Sequence, residues 1–175
     1  MTGGILIFGA NGAGKTTLAC ALARLLRFKH MDIEDYYFRE SDIPYTNPRT
    51  RDEAIGLMLA DIAKHPSFVL SAVTGDFGEK ITSMYRLAVY LTAPKELRMQ
   101  RIELREQARF GGRVHAGGDM YEQQLRFRAW AASRDLSKID AWAQTLACPV
   151  IRVDGTKAVA ENAARIAEEY RGGTP

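Results

Sequence analysis

Gly9-Ala10-Asn11-Gly12-Ala13-Gly14-Lys15-Thr16 fits the pattern G-x-x-x-x-G-K-[ST], and Thr17 follows it. Apolar Ile5–Phe8 runs straight into this stretch and a helical pattern leaves it, which is the strand–loop–helix context that gives the pattern meaning. Glycines let the backbone fold tightly and turn successive N–H groups toward one point. Together with the positive end of the next helix, those donors cradle an anion. Asn11, Gly12, Ala13, Gly14, Lys15, Thr16 and Thr17 are therefore the residues expected to hold the phosphates of a nucleoside triphosphate. Lys15 reaches the outer phosphates, and the Thr16 hydroxyl is placed to ligate Mg²⁺.

A second group that can do chemistry is Asp32 and Glu34, in the run His30-Met31-Asp32-Ile33-Glu34-Asp35. Read as the end of a short strand running into an acidic loop, the run puts two carboxylates on one side of extended backbone. They would sit at the sheet edge where the phosphate loop also emerges. One would hold Mg²⁺ through water while the other takes an acceptor's proton. Arg39, Arg49 and Arg51 lie further along as candidates to grip an anionic part of that acceptor. Thr74-Gly75-Asp76-Phe77-Gly78 ends another buried strand, so Gly75 and Asp76 are expected at the same edge. Arg98, Arg101, Arg105 and Arg109 step by three, four and four along one helical ridge, and Arg113 follows between two Gly-Gly pairs. Residues 105–119 have the composition of a mobile cationic flap, the clamp that phosphoryl transfer needs.

The elements that must position these groups alternate. Strands are expected at Ile5–Phe8, His30–Asp32, Phe68–Val73, Leu87–Leu91 and Pro149–Val153. Helices are expected at Lys15–Leu26, Thr50–Lys64, Glu79–Tyr85, Pro94–Ala108, Met120–Arg134, Leu136–Leu146 and Val159–Tyr170, with a frayed end over Arg171–Pro175. Five buried-type strands alternating with helices give an α/β fold with a parallel sheet, in one domain spanning residues 1–175. A net charge of +3 is too mild to argue for DNA or membranes but suits polyphosphate ligands. Acids flank the aromatic Tyr36-Tyr37-Phe38, which argues against a nucleic-acid groove. Two distant cysteines without a partner pattern and no apolar membrane span or leader segment point to a cytoplasmic protein, monomeric or homodimeric.

With these motifs in this order, the chain resembles P-loop kinases of the nucleoside-monophosphate-kinase and shikimate-kinase type, and is similar to adenylate-kinase-like proteins labelled as AAA-family ATPases. The resemblance implies strand order 2-3-1-4-5, helices on both faces and an arginine-bearing lid. It matches the family's acidic motif to Asp32-Ile33-Glu34, its glycine turn to Gly75–Gly78 and its lid to Arg105–Asp119. It also implies that the nucleotide base packs between a lid-proximal arginine and Asp154-Gly155-Thr156. Glu34 replaces the second aspartate of shikimate kinases, and Thr-Gly-Asp replaces their glycine triplet. No strand ends in the Asp-Glu pair of motor ATPases. The implied activity is transfer of the γ-phosphoryl of Mg²⁺-ATP to a small acceptor. Arg105, Arg109 and Arg113 would close over the reacting group, and Asp32, Glu34, Arg39, Gly75 and Asp76 would hold the acceptor. A hydroxyl acceptor is favoured, with nucleoside monophosphates second; a slow ATPase acting as a regulator is the remaining alternative.

Replacing Lys15 with Ala removes the cation nearest the phosphates. It should abolish ATP turnover and weaken triphosphate binding while leaving ligand-free thermal unfolding nearly unchanged; wild-type turnover in that variant would refute the phosphate-loop assignment.

Overall fold

The computed structural model describes residues 3–173. Five strands, β1 (Gly3–Phe8), β2 (Lys29–Asp32), β3 (Ser67–Ala72), β4 (Tyr85–Thr92) and β5 (Val150–Asp154), form one sheet in the order β2-β3-β1-β4-β5. Every pairing is parallel. Eight helices connect and flank them: α1 (Lys15–Leu26), α2 (Ile33–Tyr37), α3 (Arg51–Lys64), α4 (Glu79–Thr82), α5 (Lys95–Phe110), α6 (Tyr121–Ser133), α7 (Ser137–Ala143) and α8 (Val159–Gly172). This is the sheet order and three-layer arrangement expected from the resemblance.

Alternate residues of the central strand feed two cores, as the twofold side-chain period of a strand demands. Leu6 and Phe8 join Met31, Phe68, Leu70 and Tyr90 against α3 and α7, through Met58, Ile62, Ile139 and Trp142. Ile5 and Ile7 join Val69, Val89 and Leu91 against α1 and α8, through Leu18, Leu22, Ile166 and Tyr170. Because β1 is covered on both faces, the loop that leaves it is held on a rigid base.

Several elements differ from the sequence reading. The acidic run after β2 is a helix, because the Asp32 carboxylate accepts the Glu34 N–H (3.1 Å) and so caps α2. Its last turn is pinned to α3 where the Tyr36 hydroxyl donates to Asp61 Oδ2 (2.7 Å). The helix expected over Glu79–Tyr85 stops at Thr82, since Tyr85 pairs with Gly4 in the sheet and its hydroxyl reaches the Gly75 carbonyl (3.0 Å). The strand at 150–154 is an edge strand with much of its surface exposed, not a buried one. α8 carries the chain to Gly172, past the expected fraying point at Arg171, and residues 174–175 lie outside the described residues. No helix among the described residues is long and apolar enough to cross a membrane.

Two glycines separate a required backbone shape from a dispensable one. Gly9 has φ +143°, and a Cβ there would lie 2.3 Å from the Leu91 carbonyl oxygen of β4. Gly56 sits in the exposed middle of α3 with open space around it. Gly9→Ala should cost more than ~2 kcal/mol, whereas Gly56→Ala should stabilise by about 0.5–1 kcal/mol. Denaturant unfolding of the two variants checks both signs.

Candidate active site

The phosphate loop between β1 and α1 returns two of its N–H groups to backbone, Gly9 to Val73 O (3.2 Å) and Ala13 to Ala10 O (3.3 Å), and its carbonyls need further donors. They find them in side chains. The Lys15 ammonium donates to Ala10 O (2.9 Å), Arg98 to Asn11 O (3.2 Å) and Arg101 to Ala13 O (3.1 Å). Arg101 also donates to Gly155 O (2.9 Å), tying the loop to the turn after β5. Gly12, with φ +80°, packs its Cα side against the Arg98 backbone at a distance no Cβ would tolerate. Gly14 caps α1 in the left-handed conformation and supplies no side-chain hydrogen bond, leaving the first turn's N–H groups for an anion.

Beyond the loop lies a cavity of about 450 Å³. Gly12 through Thr17 line one side of it; Asp32, Glu34, Arg101, Arg105 and Arg109 line others, and Gly155, Lys157 and Asn162 close the β5 end. The Thr16 hydroxyl donates to Asp32 Oδ2 (2.7 Å), so a hydroxyl and a carboxylate meet at the start of α1. These are hard oxygen donors of the kind Mg²⁺ takes. Among the described residues no three His, Cys, Asp or Glu side chains cluster as a metal cage. A dication here would rest on phosphate and water oxygens together with these two groups, which is how Mg²⁺ is ordinarily held beside a nucleotide.

Two further cavities meet the first. One, of about 610 Å³, opens over α2 and the following loop, past His30, Asp35, Phe38, Arg39 and Tyr45. The other, of about 310 Å³, lies between that loop, α5 and α6, and is lined by Phe38, Tyr45, Phe110, Phe127, Trp130 and several polar groups. Glu34 and Arg109 line all three cavities, and Arg105 lines the first and third. Tyr45 sits at this junction with φ +66°, rare for a residue with a side chain, and its hydroxyl accepts from Arg109 (3.2 Å). Burial first and the Glu34 charge second raise the pKa of that phenol.

The other expected site residues fall in different places. Asn11 lines the 310 Å³ cavity, not the 450 Å³ one, and its side-chain oxygen accepts from Arg134 (2.7 Å). Arg105 and Arg109 stand on α5, which extends to Phe110, while Arg113 lies in a 3-10 turn at Gly111–Val114. Arg113 is held by Asp119 (2.8 Å) and by Asp42 O (2.7 Å) and lines none of these cavities. Gly75 is buried against Leu6, and Asp76 is engaged by Arg51, so neither reaches the cavities. Arg39 borders the largest cavity but is paired with Glu53 (2.8 Å). Arg49 spends one nitrogen on the carbonyls of Asp35, Tyr36 and Phe38, fastening the end of α2. Asp154 and Thr156 bond each other within their own turn, and of that turn only Gly155 faces the nucleotide cavity.

Lining residues that the sequence reading did not assign to the site include Lys157 and Asn162 in the 450 Å³ cavity and Phe38, Tyr45, Glu106, Phe110, Gln123, Gln124, Phe127 and Trp130 in the 310 Å³ cavity. A signal existed only for the ridge: its three- and four-residue steps marked Arg98 and Arg101 as neighbours of Arg105 without showing that they brace the loop.

Three comparisons bear on this site. A family model described as an AAA domain matches residues 5–114. The chain is 31% identical over 170 residues to YqaC, an uncharacterized protein of Bacillus subtilis (strain 168), covering 93% of this chain and 94% of that one. In three dimensions it is similar to shikimate kinase from Acinetobacter baumannii, solved in complex with shikimate, at 21% identity and TM-score 0.57 over 99% of this chain and 96% of that one. Shikimate kinase from Bacteroides thetaiotaomicron gives 18% identity and TM-score 0.61 over 98% and 99%. At those identities the structural likeness establishes the fold.

Burial by the loop lowers the Lys15 pKa to about 8, against the raising influence of Glu34 and Asp32. In the empty protein the charged form is thus disfavoured; that destabilisation is full below pH 8 and disappears as pH rises toward the unfolded value of 10.5. A polyphosphate reverses the balance. ATP binding at pH 8.5 should therefore take up a substantial fraction of one proton, read as a dependence of calorimetric enthalpy on buffer ionisation enthalpy. Lys15→Met should abolish the uptake, and no buffer dependence in the wild type would refute the assignment.

Proposed function

Because this chain belongs to the AAA domain family, on the fold of shikimate kinases, we propose that it is a phosphotransferase. In this reading it moves the γ-phosphoryl of ATP to a hydroxyl of a small acceptor. The observation that carries the reading is the junction: Glu34 and Arg109 border the phosphate-loop cavity and both neighbouring cavities at once. A protein that only bound or hydrolysed nucleotide would need no second chamber opening onto the outer phosphate.

The roles follow from position. Loop N–H groups and Lys15 hold the β and γ phosphates. Thr16 and Asp32 would hold Mg²⁺, which when bound neutralises phosphate charge. Glu34 takes the acceptor's proton as the acceptor oxygen bonds to the γ-phosphorus; the bond from that phosphorus to the bridging oxygen breaks, and ADP leaves. Arg105 and Arg109 face the charge on the transferring group. Residues 105–119 form the cover, with Arg113 latching the 3-10 turn to Asp42 and Asp119. The base lies toward Arg101, Gly155, Lys157 and Asn162.

ADP release should be measured with Mg²⁺-ATP across nucleosides, nucleoside monophosphates, sugars and hydroxy acids. At least one acceptor should raise turnover well above the rate without acceptor. With that acceptor, Glu34→Gln should lower kcat about 10²–10⁴-fold and leave the KM for ATP within a few-fold. A low rate that no acceptor changes would overturn the kinase reading in favour of a slow ATPase. Turnover confined to monophosphates would make the protein a nucleoside monophosphate kinase.

A further inference from the structure

The 310 Å³ cavity is built unlike a site for a sugar or a hydroxy acid. Its walls carry five aromatic side chains from three separate parts of the chain: Phe38 and Tyr45 from the loop after α2, Phe110 from the end of α5, and Phe127 and Trp130 from α6. Phe38 and Tyr45 meet edge to face with ring centres 5.3 Å apart, and Phe127 and Trp130 lie 6.0 Å apart. The Arg134 guanidinium stacks 4.6 Å from the Trp130 ring and holds it from behind. Aromatic walls of this kind favour a flat π-system.

Its polar groups ask for donors. Gln123 and Glu106 both line the cavity, and the Oε1 atom of each is buried without a hydrogen-bond partner. Gln123 is fixed in orientation because its Nε2 donates to the Pro44 carbonyl (3.0 Å), leaving the oxygen as the unused end. Glu106, 3% exposed, has its other oxygen 3.5 Å from Arg128. Buried acceptors without partners are costly, and a ligand bearing N–H groups would relieve them. The cations that line the cavity are Arg105 and Arg109, and both also border the phosphate-loop cavity. No further cation in its lining stands apart to hold a second anion. The volume lies at the small end of the range for small-molecule sites, ~300–1,000 Å³.

We propose that this cavity seats the acceptor, and that the acceptor is an uncharged, nucleoside-like molecule. A flat heteroaromatic ring carrying amino or ring N–H donors lies among Phe38, Tyr45, Phe127 and Trp130, with its donors toward Gln123 and Glu106. Its hydroxyl-bearing arm extends to Glu34. The inference rests on the kinase reading for the chemistry at Glu34, but the seat for the ring stands on the cavity alone.

The test pairs turnover with direct binding, using the full chain and adenosine, cytidine, uridine, a hexose, shikimate and AMP as probes. Amino-bearing adenosine or cytidine should accelerate ADP release and quench tryptophan fluorescence, and the quench should be lost in Trp130→Phe, which keeps Trp142. Gln123→Leu should raise the KM for that nucleoside about tenfold with kcat and the KM for ATP little changed. ADP release with the hexose, shikimate or AMP, and with no nucleoside, overturns the inference and leaves the kinase reading intact. Trp130-dependent quenching by a nucleoside, with none of the probes raising ADP release, upholds the seat and overturns the kinase reading. Neither quenching nor turnover with any nucleoside overturns the inference outright.

Discussion

A tight backbone loop that leaves N–H groups free for an anion also leaves carbonyls outside any regular ladder, and those carbonyls have to be satisfied in a protein interior. That constraint organises the site. The carbonyls of Ala10, Asn11 and Ala13 are met by Lys15, Arg98 and Arg101. Two of those three donors come from α5, the helix that also carries Arg105 and Arg109. Arg98 is 4% exposed, and burial lowers its pKa, so this guanidinium is desolvated to serve the loop. One helix therefore braces the loop with its first two turns and lines the adjoining cavity with its last two.

A second constraint explains the carboxylates. Asp32 ends β2 one strand away from β3, two away from the central strand, and must reach across to Thr16. It does so while capping α2, with one oxygen on the Thr16 hydroxyl and the other on the Glu34 N–H. Capping orders the first turn of α2, and Glu34 stands in that turn. The carboxylate near the phosphate loop thereby positions the carboxylate where the three cavities meet, and Tyr36 bonded to Asp61 tethers the short helix. A helix of only five residues has no stability of its own; its caps and its tether hold it.

What the sequence disclosed follows the range of the interactions involved. The phosphate loop and the alternation of strands with helices were legible because spacing and periodicity encode them locally, whereas the sheet order came from the resemblance: Gly9 to Thr16 is one contiguous signature, and β1, β3 and β4 are short, largely apolar runs. The ridge of arginines was legible as a ridge, but its division of labour was not. Arg98 and Arg101 brace carbonyls more than 85 positions away in sequence, whereas Arg105 and Arg109 face the cavity. Helix α2 was missed because Asp32 reads equally as a loop acid and as a cap until the Thr16 contact is known. Arg39, Arg49 and Arg51 looked available to an anion, yet Arg39 and Arg51 pair with Glu53 and Asp76, and Arg49 bonds three carbonyls. Composition shows cations; only packing shows which are already occupied.

The phosphate loop and the wall of the aromatic cavity are joined by a guanidinium. Arg134 donates to the side-chain oxygen of Asn11, inside the phosphate loop, and stacks on Trp130, in the wall of the aromatic cavity. Partial burial lowers its pKa, as befits a guanidinium packed between the loop and the aromatic wall. A ring that displaced Trp130 would move Arg134, and a phosphate that drew Asn11 inward would move it from the other end. Linkage of this kind is reciprocal: whatever free energy one occupant lends the other is returned. Of the four positions that the loop's signature leaves open, Asn11 alone lines the 310 Å³ cavity, so it is through Asn11 that the loop meets the aromatic chamber.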